Sequence, residues 1–358
     1  MSNLKFIFSG GGTGGHIFPA VAIAKALQTK HPTAEFLFVG ALGKMEMEKV
    51  PLEGFKIIGL PIAGLKRSFS LENISVAFKS IKSYFLAKRI LKDFKPNAVI
   101  GTGGFASLPI CYAAANMNIP VFVWEGNGYG GLTNKIMSKR AKRIFCGFGD
   151  MDAHFKYGNW IHSGNPIRAE ITQTIDRNTA AQHFGLDPAK PILFVTGGSL
   201  GARTLNQCME AGLSALTTAG IQLIWQTGNF FKIPESLPNG VWAQPFLRDM
   251  NLAYSCANAV VSRSGALSCS EISAVGVPAI FVPSANVTDD HQTKNAEHVV
   301  KTGGAILIPD AQAPSILIQR AIELLNDPEK LTAMRSALLA SAKPQATQFI
   351  VEEIEKNL

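Results

Sequence analysis

FIFSGGGTGGH at residues 6–16 passes from an apolar run into five glycines broken by one threonine, then into a histidine that opens a helix. An apolar strand, a glycine turn and a helix in immediate succession leave the first N–H groups of the helix pointing outward at the positive end of its dipole. In that setting the backbone alone binds a phosphate or pyrophosphate. The same succession returns as ILFVTGGSLGAR at 192–203. Around each copy, short β-rich runs alternate with amphipathic stretches. Strands are predicted over 5–9, 35–39, 56–60, 98–101, 120–124 and 143–146, and again over 192–196, 222–226, 241–244, 259–262, 279–282 and 305–308. Alternation of this kind makes a parallel sheet covered by helices. Its repetition predicts an α/β chain of two tandem Rossmann-like domains whose parallel sheets face each other across a cleft.

At 358 residues the chain is longer than one hydrophobic core usually organises, which agrees with two domains. A hinge is placed at SGNPIR, residues 163–168, because Gly, Asn and Pro favour a turn over a regular element. The expected domains are 1–163 and 164–344, with a last helix at about 345–358 that can pack back on the first. Hydrophobic residues make up 47% and charged residues 17%, yet no run of about twenty uncharged apolar residues occurs, so no membrane-spanning helix is expected. The N-terminus shows no small-residue cleavage site, which argues against a signal peptide and for the cytosol. The five cysteines, Cys111, Cys146, Cys208, Cys256 and Cys269, are scattered and read as buried free thiols. No Cys/His spacing suits zinc, so neither a metal nor a cofactor is expected. The net charge of +8 favours an anionic partner without choosing among nucleic acid, nucleotide-sugar and acidic lipid.

Gly10, Gly12 and Gly15 formally satisfy G-x-G-x-x-G. The next strand, however, ends in Gly40 where a ribose-binding acid belongs in a nicotinamide site. A Walker A loop is excluded as well, because His16-Ile17 stands where Lys-Ser/Thr is needed. Further strand-to-helix glycine turns occur at 101–104, 197–201 and 263–265. Each alone reads equally as a tight turn needing positive φ. Four of them divided between two domains fit a group transfer between two phosphorylated molecules. His16, at the first turn of a helix on a glycine loop, is the candidate general base for an acceptor hydroxyl, set against a purely structural histidine.

Several segments together resemble one known family. They are GGGTGGHIFPA at 10–20, TGGF at 102–105, GLTNK at 131–135, SGNPIR at 163–168, GGSLGAR at 197–203, RSGALSCSEI at 263–272 and DHQTKNA at 290–296. In this order and spacing, over nearly the whole chain, they resemble the MurG family, metal-independent N-acetylglucosaminyltransferases of the GT-B fold. The resemblance implies inverting transfer from UDP-N-acetylglucosamine to the 4-hydroxyl of muramic acid in undecaprenyl-pyrophosphoryl-N-acetylmuramyl-pentapeptide. It also implies a peripheral place on the cytoplasmic face of the plasma membrane, with cell-wall synthesis proteins as further partners. By family similarity, Gly12, Thr102, Gly103, Gly104, Glu125 and Asn127 serve the acceptor. Thr13, Gly14, Gly15, Asn127, Arg168, Ser199, Leu247, Arg263, Ser264, Ala266, Leu267, Glu271, His291 and Gln292 serve the donor. Within that set Leu247 meets the uracil through its backbone and Glu271 accepts from the ribose hydroxyls, the alternative for Glu271 being a solvated first-turn residue. His16 or Glu125 is the base. This chain departs from the family at Trp124-Glu-Gly-Asn127, where His-Glu-Gln-Asn is usual, and at GGFASLP, residues 103–109, where GGYVSGP is usual.

Between Lys66 and Lys95 stand eight basic residues, Lys66, Arg67, Lys79, Lys82, Lys88, Arg89, Lys92 and Lys95, against Glu72 and Asp93. They are interspersed with Phe69, Leu71, Ile74, Val76, Phe78, Ile81, Tyr84, Phe85 and Leu86, a pattern suited either to an anionic lipid surface or to a core helix with a solvated basic face. Three readings compete with a transferase of this kind. The first is a nicotinamide oxidoreductase, and the second is a UDP-N-acetylglucosamine 2-epimerase or a GT-B enzyme acting on another lipid. The third is a basic non-catalytic scaffold, which has no nucleic-acid-binding signature behind it.

Overall fold

The computed structural model describes residues 3–64, 72–287 and 290–358. Lys66, Arg67, Phe69 and Leu71 of the basic segment lie outside them, as do the side chains of Glu72 and Ile74. The chain forms two compact units, Met1–Ile167 with Gln345–Leu358, and Arg168–Pro344.

In the first unit the strands are β1 (Lys5–Ser9), β2 (Glu35–Ala41), β3 (Lys56–Leu60), β4 (Ala98–Gly101), β5 (Val121–Glu125), β6 (Arg143–Cys146) and β7 (Trp160–His162). They make one parallel sheet in the order β3-β2-β1-β4-β5-β6-β7. The helices are α1 (Gly14–Lys30), α2 (Glu46–Leu52), α3 (Glu72–Phe94), α4 (Leu108–Asn116) and α5 (Leu132–Met137). The alternation in β1 explains why helices must cover both faces of the sheet. Phe6 and Phe8 enter a core shared with Ile17, Ile23 and Leu27 of α1, while Ile7 enters another shared with Leu91 of α3 and Ile110 of α4. β7 was not among the expected strands. It is three residues long, lies at the sheet edge and is only partly buried, so it lacks an apolar signal.

The second unit repeats the plan. Strands β8 (Ile192–Thr196), β9 (Gln222–Gln226), β10 (Val241–Gln244), β11 (Ala259–Ser262), β12 (Ala279–Phe281) and β13 (Ala305–Leu307) run in the order β10-β9-β8-β11-β12-β13, all parallel. Its helices are α6 (Arg177–His183), α7 (Arg203–Thr218), α8 (Met250–Cys256), α9 (Ala266–Val275), α10 (His291–Lys301), α11 (Ala313–Leu325) and α12 (Pro328–Ser341). Leu205, Met209 and Leu216 recur at helical spacing along α7 and share a core with Leu193 and Val195 of β8 and Leu317 of α11. Each such fully buried leucine contributes roughly 1.5–3 kcal/mol of transfer free energy.

The last helix, α13 (Ala346–Glu355), belongs to the first unit. Its Ile350, Val351 and Ile354 complete the core on the α1 side of the sheet. Glu355 then accepts from Lys30 and sits 2.6 Å from His31 Nε2, joining the C-terminal ends of α13 and α1.

Candidate active site

In each sheet the strand order reverses once, between β1 and β4 and between β8 and β11. At such a reversal the two strands lead to helices on opposite faces of the sheet, and the carboxyl ends of the strands there are the usual ligand position in open α/β sheets. The four glycine turns are the loops that follow these four strands. Three long helices start there, α1 after Thr13, α7 after Ala202 and α9 after Gly265. None has a side-chain cap from its N-cap residue or an acid in its first turn. Thr13, Gly14 and Gly15 thus lie at the start of α1, Ser199 on the exposed turn before α7, and Ala266 and Leu267 in the first turn of α9. Phosphate oxygens suit the N–H groups and the dipole there.

The two loops of the first unit press together in a way only glycine allows. A Cβ on Gly10 would lie 1.9 Å from Thr102 Oγ1, and one on Gly104, whose φ is +76°, would lie 2.5 Å from the Gly11 carbonyl. Within this contact the half-buried His16 is held twice by Thr102. His16 Nδ1 is 2.9 Å from the Thr102 carbonyl oxygen, and Thr102 Oγ1 donates to the His16 carbonyl at 2.7 Å. A carbonyl can only accept, so in the neutral ring the proton is on Nδ1 and the lone pair on Nε2. That is the tautomer a general base needs.

Glu125 ends β5, and the side chain is buried, 3% exposed. Its Oε1 accepts from the backbone N–H and Nδ2 of Asn127 at 3.1 and 3.3 Å, and its Oε2 from the Gly131 N–H and Asn134 Nδ2, both at 2.8 Å. With four donors on two oxygens, this carboxylate shapes the 126–131 loop. Asn134 also donates to the Trp124 carbonyl at 3.1 Å. Its Nδ2 lies 3.7 Å from where a Gly103 Cβ would be, so the Glu125 cluster adjoins the His16 cluster. The departure at 124–127 is self-consistent, because a Cβ on Gly126 would stand 2.3 Å from the Trp124 ring. The buried indole occupies the space that a residue larger than glycine would need.

In the second unit Glu271 lies in the second turn of α9 and is 8% exposed, which corrects the solvated first-turn alternative. Arg168 Nε and Nη2 both donate to its Oε1 at 3.3 Å, which leaves Oε2 as an acceptor for a ligand hydroxyl. Burial pushes the Glu271 carboxyl above its ordinary value, and the Arg168 guanidinium offsets part of that. Gln226, at the end of β9, accepts from the Leu247 N–H at 3.1 Å and donates to the Gly198 carbonyl at 2.9 Å. The Leu247 N–H is therefore engaged within the protein. Buried Ser264 donates to the Gln292 carbonyl at 2.8 Å, and Gln292 Oε1 accepts from the Ser284 N–H at 2.8 Å. This fixes the amide so that its NH2 is the end left to a ligand. His291 opens α10 after Asp290, which is in the left-handed region at φ +49°.

The Arg263 side chain is engaged within the protein. Its Nη1 donates to the carbonyls of Val282 at 2.9 Å and Pro283 at 3.1 Å and pairs with Asp310, so the guanidinium braces the loops after β12 and β13. Arg263→Ala should lower unfolding stability by about 2–3 kcal/mol and leave the donor KM within about twofold, measured by urea denaturation beside steady-state kinetics. A large donor KM effect without loss of stability would restore the arginine to the ligand. Glu46, Gln226 and Asp310 were not singled out from the sequence. Each is a lone polar residue with a partner on a loop distant in sequence, so no local pattern marks it. All five cysteines are buried, and desolvation pushes Cys111 up to about 12 and Cys256 to about 11. These thiols have no nucleophilic role at neutral pH. Among the described residues no group of three or more His, Cys, Asp or Glu side chains is placed to hold a metal ion.

Two doubly wound parallel sheets, each with glycine turns at its switch point, are the architecture of the GT-B fold. Residues 6–146 match the glycosyltransferase family 28 N-terminal domain and residues 192–350 the family 28 C-terminal domain. The UDP-N-acetylglucosamine--N-acetylmuramyl-(pentapeptide) pyrophosphoryl-undecaprenol N-acetylglucosamine transferase of Phocaeicola vulgatus is 44% identical over 364 residues, covering 99% of this chain and 96% of that one. The crystal structure of Acinetobacter baumannii MurG aligns with a TM-score of 0.79 at 30% identity, covering 99% of both chains. The chain belongs to the MurG family of N-acetylglucosaminyltransferases. A UDP-N-acetylglucosamine 2-epimerase structure also aligns, with a TM-score of 0.68, but at 16% identity it shares the fold alone.

Proposed function

We propose that the chain transfers N-acetylglucosamine from UDP-N-acetylglucosamine to the 4-hydroxyl of N-acetylmuramic acid in undecaprenyl-pyrophosphoryl-N-acetylmuramyl-pentapeptide, with inversion. The observation that carries this reading is His16, held by Thr102 with its lone pair on Nε2, beside two glycine turns at the β1/β4 switch point. The acceptor hydroxyl gives its proton to Nε2 as its oxygen bonds to the anomeric carbon. The bond from that carbon to the β-phosphate oxygen breaks with its electron pair, and UDP leaves with added negative charge. Attack opposite the leaving group inverts the anomeric centre. Helix N–H groups placed for that charge stabilise the transition state more than the ground state.

In this reading the first unit takes the acceptor, whose diphosphate lies against residues 12–15 and 102–104. Glu125 positions Asn127 and the loop to Gly131 and leaves proton transfer to His16. The second unit takes the donor. Glu271 receives the ribose hydroxyls, the Leu247 carbonyl the uracil, Ser199, Ala266 and Leu267 the phosphates, and Gln292 with His291 the sugar. Arg168 acts through Glu271. Radiolabelled UDP-N-acetylglucosamine incubated with a short-chain acceptor analogue, then extracted into organic solvent, tests the reading. Label in the organic phase is the expected result. Label that stays aqueous and appears as the 2-epimer would replace transfer with epimerisation.

Support for a membrane-facing surface comes from α3, where Phe78, Ile81 and Phe85 are 70%, 56% and 64% exposed among Lys79, Lys82 and Lys88. Large apolar groups left in water beside cations suit an anionic lipid interface, where each near-surface cation adds on the order of 1 kcal/mol. No helix among the described residues is long and apolar enough to cross a membrane. We place this surface on the cytoplasmic face. Replacing Lys79, Lys82 and Lys88 together by Glu should strongly reduce co-sedimentation with phosphatidylglycerol-containing vesicles. Equal sedimentation of parent and variant removes the interfacial role.

A further inference from the structure

One fully buried carboxylate lies behind the glycine loop of the first unit. Glu46, the first residue of α2, has no solvent exposure. Its Oε2 accepts from the Gly12 N–H and its Oε1 from the Ala41 N–H, each at 2.9 Å. A Cβ on Gly11 would lie 2.1 Å from Oε1, and one on Gly40 would lie 2.5 Å from Glu46 Cγ. The carboxylate is therefore enclosed between the end of β2 and the loop that follows β1, and glycines on both sides make room for it.

We infer that Glu46 is a positioning residue for the acceptor diphosphate, acting by fixing the Gly12 peptide and so the direction of the N–H groups that follow it. The inference rests on the acceptor reading given above. Gly12 has φ +87°, the left-handed turn from which the chain enters α1, so the plane of its preceding peptide sets the course of residues 13–15. A neutral acceptor would hold that N–H weakly. A carboxylate accepting two backbone amides forms charge-assisted bonds, about twice as strong as neutral ones. The arrangement also assigns the amides. Gly12 gives its N–H to the protein, and those at the start of α1 remain directed to the ligand. In the second unit Gln226, the last residue of β9, holds the glycine turn in a similar way through Gly198 and also holds Leu247. There a neutral amide suffices because one of its two partners is a carbonyl.

The test uses the full chain carrying Glu46→Gln or Glu46→Asp. The glutamine keeps the size but turns an NH2 toward one of the two N–H donors, and the aspartate keeps the charge but is one methylene too short to bridge both. Glu46→Gln should raise the KM for the lipid-linked acceptor about tenfold or more while the donor KM stays within about twofold. Glu46→Asp, which retains one charged anchor, should fall between parent and glutamine variant. A general loss of structure would instead scale kcat with the folded fraction and move both KM values little. Hydrogen exchange at the Gly12 amide, followed by NMR, gives a reading that does not depend on turnover and should accelerate in Glu46→Gln. An unchanged acceptor KM in a folded variant, or unchanged Gly12 exchange, overturns the inference. Absence of transfer by the parent protein would sink the acceptor reading instead, and Gly12 exchange would then decide the anchoring alone.

Discussion

His16→Ala is expected to lower kcat by about three orders of magnitude, within the range general-base removal usually costs, while UDP-N-acetylglucosamine affinity changes less than about twofold. The separation follows from location. His16 and its partner Thr102 both belong to the first unit, and the donor contacts proposed above belong to the second. Alanine removes the lone pair on Nε2 and leaves the Thr102 backbone and the glycine turns to hold the acceptor. Stopped-flow turnover alongside calorimetric titration of the donor measures both quantities. Turnover within tenfold of the parent would mean that another group takes the proton. Glu125 could assume that task only by giving up bonds to Asn127, Gly131 and Asn134, so Glu125→Gln would then become the decisive variant.

Glu271→Ala is expected to raise the donor KM about ten- to a hundredfold with a smaller change in kcat. A hydrogen bond to a charged group is worth about 1.5–3 kcal/mol, and each 1.4 kcal/mol is a factor of ten. The loss also removes both hydrogen bonds of the Arg168 guanidinium to Glu271. UMP, which keeps the ribose, should lose affinity in parallel with the full donor, whereas free N-acetylglucosamine should not. A donor KM equal to the parent's refutes the ribose contact. The same residue carries a pH signature. Its folded value is raised, so the folded state binds the proton more tightly than the unfolded chain. Its contribution to stability is therefore fully present below the ordinary 4.5 and is lost as pH rises through the higher folded value. Glu271→Gln should flatten that part of the stability profile in a series of urea melts.

Much of the fold could be read from the sequence because parallel strands buried on both faces leave continuous apolar runs such as FIF at 6–8 and ILFV at 192–195. β7 could not, since Trp160–His162 is a short edge strand with little burial. The glycine turns were legible for a steric reason, as at Gly10 and Gly104, where a side chain cannot fit. The groups that hold those turns were not. Glu46 meets Gly12 across 34 residues and Thr102 meets His16 across 86, so both pairings exist only once β1 lies between β2 and β4. Arg263 has a partner that the sequence did not show. A basic residue on a phosphate-type loop invites a ligand role, but its charge is answered by Asp310 from another strand end.

The placement of α13 bears on how the polypeptide matures during synthesis. Arg168–Pro344 is one continuous stretch and contains all the strands of its own sheet, so it can organise as soon as it has emerged from the ribosome. The earlier unit emerges first yet lacks Ile350, Val351 and Ile354 until translation has passed through the whole of the later one. Its apolar face beside α1 thus waits uncovered through nearly half the chain, an interval in which a nascent-chain chaperone has something to shield.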